Sequence, residues 1–232
     1  MNNLLTYQCN DGIASIVMDD GKVNAMSLSM ITELNGALDR AASDQAVVLL
    51  SGRAGVFSAG FDLKVLRAGG DASRTMIHAG FKLSERLLSY PNPVVIACNG
   101  HALAMGIFLV LAADYRFGAQ GDYKFGANEV AIGLTMPHFA IEICRQRLTT
   151  AHFNRALITS EIYAPEQAVT AGFLDEVVPA PELLASAERK ASQLRDLNRA
   201  AFVATKARVR AGASNAVRQA IEQDANSATV RN

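Results

Sequence analysis

The 232-residue chain has three cysteines, four histidines and no excess of either charge, with 22 Lys+Arg against 22 Asp+Glu. Cys9, Cys98 and Cys144 are odd in number and widely spaced. That argues against a disulfide frame and for free thiols in a reducing compartment, read here as the cytoplasm. His78, His101, His138 and His152 lack metal-ligand spacing. Zero net charge argues against a generic nucleic-acid binder, even though residues 181–210 carry seven basic residues against three acidic ones. No G-x-G-x-x-G follows a strand and no P-loop motif occurs. "MNNLLTYQCNDG" has no basic region followed by an apolar run, so it does not read as a secretory leader.

The longest absence is of charge itself: no Asp, Glu, Lys or Arg occurs from Leu87 to Ala113. Such a run is long enough to span a bilayer. "YPNP" and the turn dipeptide Asn99-Gly100 break it, however, into a short strand, "VVIAC", and a helix beginning near Leu103. A buried strand followed by a buried helix explains the missing charge without a membrane.

The chain is 50% hydrophobic and 19% charged, enough to fill one large core. The order of elements is mixed α/β. "LLTYQCNDGIASIVMDD" reads as a hairpin with Asp11-Gly12 in the turn. Ile31, Leu34, Leu38 and Ala41 share one helical face, which Ser27 or Ser29 can cap. "AVVLLSG" reads as a buried strand, and "VLRAGGDASRTMIHAG", with its paired glycines, as a mobile loop. "FKLSERLLSY" is helical and ends before Pro91. "YRFGA" and "YKFGA" read as two short strands, followed by helices in "PHFAIEICRQRL", "AHFNRALITS" and "PEQAVTAG", then a last strand, "FLDEVV". Residues 1–179 form the expected core, and 180–232 a helical region that packs on it or on a neighbouring subunit.

Two stretches carry possible chemistry. "VFSAGFDLK" and "NGHALAMG" each follow a strand, and the second opens the uncharged helix. The first turn of a helix has N–H groups without internal partners, and its dipole favours negative charge. One N–H from each stretch can hold a carbonyl oxygen as it becomes an oxyanion, with the apolar helix excluding water. "GVFSAG" is only a near-match to a nucleophile elbow, because Gly55 lies one residue too far from Ser58, which leaves Ser58 a weak nucleophile candidate.

These motifs, with "GKVNAMS", "PNPVVIACNGHALAMG", "LAADYR", "FGANEVAIGLTMP" and "AVTAGFLDEVVP", resemble the crotonase, or enoyl-CoA hydratase/isomerase, superfamily. The resemblance covers most of the first 180 residues. It implies an α/β crotonase fold: a spiral of ββα repeats with a C-terminal α-helical trimerisation region. It implies acyl-CoA thioester substrates, no metal and no redox cofactor, with coenzyme A present only as part of the substrate. It implies a homotrimer or dimer of trimers, with no nucleic-acid or membrane partner.

Residue by residue, the resemblance places the oxyanion N–H groups on Phe61 and Met105. It lays Val23, Ala25, Ala59, Gly60, Asp62 and Leu63 along the CoA and offers Lys206 to a CoA phosphate. Hydratases of the family carry a glutamate where this chain has Phe108. The later family glutamate is present as Glu129 in "FGANE". One carboxylate suits moving a double bond better than adding water, because isomerisation needs only one group to take and return a proton. The resemblance is therefore to the single-glutamate Δ3,Δ2-enoyl-CoA isomerases, with Glu129 as base and Phe108 lining the substrate site. The competing readings are a hydratase or thioester hydrolase recruiting His101, His138 or Glu142, and a non-catalytic acyl-CoA-binding subunit.

Overall fold

The computed structural model describes residues 3–227. Strands β1 (Leu5–Asn10) and β2 (Ile13–Met18) pair antiparallel around Asp11 and Gly12. Both turn residues have positive φ, 47° and 70°, as the tight hairpin requires. Helix α1 (Leu28–Ser43) is capped by the Ser27 side chain and buries Ile31, Leu34, Leu38 and Ala41.

From there the chain winds in repeats. Each turn places one strand in a large sheet and the next in a small one, then adds helix. The first has β3 (Val47–Ser51) and β4 (Gly55–Ser58), then α2 (Leu63–Ala68) and α3 (Gly70–Leu88). The second has β5 (Val94–Cys98), β6 (Gly100–Leu103) and α4 (Met105–Ala112). The third has β7 (Tyr115–Ala119), β8 (Phe125–Gly126), a single 3-10 turn at Val130–Ile132 and α5 (His138–Arg145). The large sheet runs β1-β2-β3-β5-β7-β9 and the small one β4-β6-β8, all parallel beyond the first hairpin. This is the ββα spiral of the crotonase fold. Helices α6 (Thr150–Ile158) and α7 (Pro165–Ala171) precede the last strand, β9 (Glu176–Val178).

The large sheet is buried on both faces, which is why its strands read as unbroken apolar runs. Val48, Leu50, Val94 and Ile96 face the main core. Val47, Leu49, Val95 and Ala97 face the other way, where Leu183, Ala187 and Ala191 of α8 (Leu183–Arg195) cover them. Helix α9 (Arg199–Asn226) buries Val217, Ala220 and Ile221 and packs on α3 and α5. Both late helices thus lie on the body of the same chain. Among the described residues, no helix is long and apolar enough to cross a membrane.

Three local expectations are corrected. The stretch expected as a mobile loop is helical: α2 and α3 meet at Gly69 and Gly70, whose φ angles of 68° and 69° reverse the chain. Asn99-Gly100 divides the strand not from a helix but from a second strand: α4, expected near Leu103, begins at Met105 because Gly100–Leu103 is strand β6. The dipeptide passes the chain from one sheet to the other: Asn99 Nδ2 donates to Gly52 O at 2.7 Å, and a Cβ on Gly100 would lie 2.0 Å from Gly55 backbone. "YKFGA" is strand only at Phe125–Gly126 and lies in the small sheet, whereas "YRFGA" lies in the large one.

Candidate active site

The small sheet assembles the site. Its three parallel strands, β4, β6 and β8, end side by side, and just past their ends come Phe61, Met105 and Glu129. Parallel neighbours lie ~4.8 Å apart, so the three ends fall within about 10 Å. Ligands of parallel sheets bind beyond such carboxyl ends.

The first two ends touch. Gly60 has φ +98°, and a Cβ there would lie 2.8 Å from Ala104 Cβ and 3.3 Å from Met105 N. Glycine is needed both for the angle and for the approach. Ala104 itself has φ 48° and ψ −125°, a strained conformation for a residue with a side chain. Such strain costs about 1–3 kcal/mol and persists only where surrounding contacts enforce it. Here the Ala104 N–H is held by Gly126 O at 3.1 Å, and the next residue, Met105, opens α4. Neither the Phe61 nor the Met105 N–H donates to a protein acceptor among the described residues.

A strap of residues 20–26 fixes the first loop. Ala59 N donates to Val23 O at 3.0 Å and Met26 N to Gly60 O at 2.8 Å. Asn24, at φ 49° and fully buried, donates from Nδ2 to Met18 O (3.0 Å) and Phe57 O (3.1 Å). The Asp20 carboxylate accepts from the amides of Lys22, Asn24 and Ala25. Burial pushes the Asp20 carboxyl up, but those amides outweigh it and hold it below the usual carboxylate range. Ser58 Oγ donates to Asn24 O at 2.7 Å and accepts from Gly60 N, so this buried hydroxyl is a brace and not a free nucleophile. The residues expected along CoA gather here. Val23 and Leu63 are half-exposed apolar side chains beside the loop, Ala59 is exposed and Ala25 partly so. The Asp62 carboxylate caps α2 through the amides of Lys64 and Val65.

Glu129 starts the 3-10 turn after β8 and is 7% exposed. Among the described residues, its Oε2 has no hydrogen-bond partner, nor has the buried Oδ1 of Asn128 beside it. Burial pushes the Glu129 carboxyl up to about 7, against a small opposing effect of its own main chain. An unpaired carboxylate poised near neutrality is what a general base requires.

All of α4 is buried, Phe108 included. The Phe108 ring meets Phe139 edge-on at 5.8 Å, Phe139 stacks on Phe81 at 4.3 Å, and Phe81 lies 6.1 Å from Phe61. These rings form an apolar wall behind the loops that carry Phe61 and Met105. The charges that α4 lacks arrive from elsewhere, at its far end. Gln146 donates to Leu111 O, Arg147 to Ala113 O, and Arg210 to Ala112 O and Ala113 O. Cations there complement the helix dipole. Lys206 is in this group. It is 9% exposed, and its ammonium lies 2.7 Å from Asp114. Burial lowers its pKa to about 8 against the opposing pull of Asp114. Eight helical residues put this end ~12 Å from Met105, so within one chain Lys206 is not brought to the oxyanion loops.

Two of the groups considered for hydrolysis or hydration have partners of their own: His101 Nδ1 accepts from Lys124 N, and Glu142 pairs with Arg145. The third, His138, is exposed at the start of α5. Among the described residues, no group of three or more His, Cys, Asp or Glu side chains forms a metal site. The sequence reading missed Ala104, Arg147 and Arg210. It quoted Asn24 within "VNA" without seeing its role as a brace.

Known proteins resemble this chain in sequence and in fold. A solved apo structure of an enoyl-CoA isomerase from Mycobacterium tuberculosis is 43% identical, with a TM-score of 0.93, covering 97% of this chain and 99% of that one. A probable enoyl-CoA hydratase of Mycobacterium avium is 30% identical over 85% of this chain and 78% of its own length. The human mitochondrial enoyl-CoA delta isomerase 1 is 31% identical over 76% of this chain and 60% of its own. The family model described as enoyl-CoA hydratase/isomerase matches residues 8–230, and with the site built as above, the chain belongs to that family.

Proposed function

We propose that this protein converts 3-enoyl-CoA to 2-enoyl-CoA. The observation that carries the reading is the pairing of a buried, unpartnered Glu129 with a buried Phe108 where hydratases of the family hold a second glutamate. The thioester oxygen accepts hydrogen bonds from the N–H groups of Phe61 and Met105, which stabilises negative charge there. Glu129 takes a proton from C2, and the electrons move into a dienolate held by the same two donors. Glu129 then delivers the proton to C4, leaving the double bond between C2 and C3. Phe108 helps keep out the water that hydration would need. The scheme calls on no metal and no redox cofactor, and coenzyme A enters only as part of the thioester.

A hydratase is the second reading, favoured by the hydratase name of the Mycobacterium avium relative. A thioester hydrolase is weaker because it needs water that Phe108 and its ring neighbours help keep out, and a non-catalytic acyl-CoA-binding subunit is weaker because it leaves the buried Glu129 without a task. We further propose a homotrimer or dimer of trimers in the cytoplasm, in keeping with three unpaired cysteines and with half-exposed Leu184 on α8 and Leu197 between α8 and α9. The test is Glu129→Gln. Turnover should fall by ~10³-fold or more while acyl-CoA binding stays within a few-fold. Unchanged turnover would remove Glu129 from the mechanism.

A further inference from the structure

The end of α4 remote from Met105 gathers more positive charge than its carboxylates answer. Arg116, Arg147, Lys206 and Arg210 lie close enough to repel one another, with Asp114 and Asp175 as their acidic partners. Both carboxylates are engaged. Asp114 accepts from Val94 N at 2.8 Å and lies 2.7 Å from the Lys206 ammonium and 3.0 Å from Arg210. Asp175 accepts two hydrogen bonds from Arg116, at 2.7 and 2.9 Å. The carbonyls that end α4 take hydrogen bonds from Arg147 and Arg210, but the negative end of a helix offsets only about half a charge. More than one positive charge is left unanswered. Among the described residues, the buried Nε of Arg147 has no acceptor. Burial, with repulsion from Arg116 and Arg210, holds the Arg147 pKa down at about 10.

A cavity of about 400 Å³ opens on this cluster. Arg147, Lys206 and Arg210 line it, together with Phe202 and the exposed Thr205 and Val209 of α9. Met105 opens α4 at one end, and this cavity lies at the other. We propose that it is an anion site, separate from the acyl-CoA site, that binds the phosphate group of a small ligand. A phosphate carries about two negative charges at neutral pH, which matches the surplus, and its oxygens suit the planar fork of a guanidinium. Two or three charge-assisted hydrogen bonds support a Kd of ~1 mM or tighter. Phe202 and Val209 offer an apolar surface to whatever carries the phosphate.

The test is calorimetry with inorganic phosphate, methyl phosphate and phenyl phosphate, each against sodium chloride at equal ionic strength. At least one phosphate should bind one site per chain with a Kd of ~1 mM or less, and raise Tm by ~5 °C or more at 100 times Kd. Tightest binding of inorganic phosphate would make the free ion the ligand, and tightest binding of phenyl phosphate a monoester held against Phe202 and Val209. Arg147→Met should weaken binding at least tenfold. Val209→Glu, at a position 77% exposed, leaves the core alone and puts a carboxylate at the rim, so it should do the same. Leu184→Glu, the same change of charge on α8, should leave Kd within about twofold. Phosphate binding no better than chloride would overturn the proposal, and so would a Kd unchanged in both cavity variants. Displacement of phosphate by saturating CoA would also overturn it, by giving these cations to the substrate.

Discussion

Replacing Gly60 by alanine puts a methyl group between the loops that carry Phe61 and Met105, the two donors of the proposed oxyanion hole. The residue sits at φ +98°, and its new Cβ would lie 2.8 Å from Ala104 Cβ. The backbone strain is worth about 1–3 kcal/mol and the overpacking about as much again, so a loss of about 2–6 kcal/mol is expected. For a chain of this length that is roughly 5–20 °C in Tm. The kinetic loss should be larger than the stability loss suggests. Any parting of the loops moves Phe61 N or Met105 N off the thioester oxygen, and losing one such donor costs ~10²–10³ in kcat. Gly55→Ala is the control: it has φ +84° but nothing within 4 Å of its Cβ. It should lose stability through strain alone, with kcat within about twofold. Initial rates on a 3-enoyl-CoA and thermal unfolding of both variants decide the matter. If Gly60→Ala unfolds earlier yet keeps kcat within about twofold, these loops do not form the oxyanion hole.

Three further outcomes follow from the same geometry. Folding raises the Glu129 carboxyl from 4.5 to about 7, so the folded state holds a proton that the unfolded chain releases. Stability should fall as pH rises from about 4.5 to 7, and Glu129→Gln should remove that loss, becoming more stable than wild type by ~3 kcal/mol at pH 8 with no gain near pH 4. Turnover, which needs the ionised base, should rise over the same window, and a flat rate–pH profile across pH 5–8 would contradict the assignment. Ser58→Ala should cost about 1–2 kcal/mol in denaturant unfolding and only a few-fold in rate, whereas a ~10³-fold loss would make the hydroxyl a nucleophile. Lys206→Met should cost about 2 kcal/mol or more by stripping one cation from buried Asp114, with Kd for CoA within about twofold. A tenfold weaker Kd would put Lys206 on a CoA phosphate.

Much of this fold was legible because local chemistry agreed with it. Asp11-Gly12 accepts the positive φ of a tight hairpin, Ser27 caps α1, and the uncharged run holds a buried strand and a buried helix, though the short strand β6 between them was not legible. Helix α2 and the first half of α3 were hidden because Gly69-Gly70 reads as a loop, whereas the second half of α3 was legible in "FKLSERLLSY". The buried face of α3 is also diluted by Ser73 and Gly80, small residues set there by neighbours distant in sequence. The strain at Ala104 leaves no trace in an alanine. Lys206 showed its charge but not its partner, Asp114, which lies 92 residues away. The oxyanion residues and Glu129 were readable only as motifs. What unites them is the alignment of three strand ends in the small sheet, which no short window of sequence contains.

The most direct measurement is product mass after separate incubation with a 3-enoyl-CoA and a 2-enoyl-CoA. A single buried carboxylate behind a wall of rings should convert the first to a 2-enoyl-CoA of unchanged mass and add no water to the second. Gain of one water by the 2-enoyl-CoA would show that a group other than residue 108 supplies the second acid/base function, and would contradict the isomerase reading of the uncharged helix.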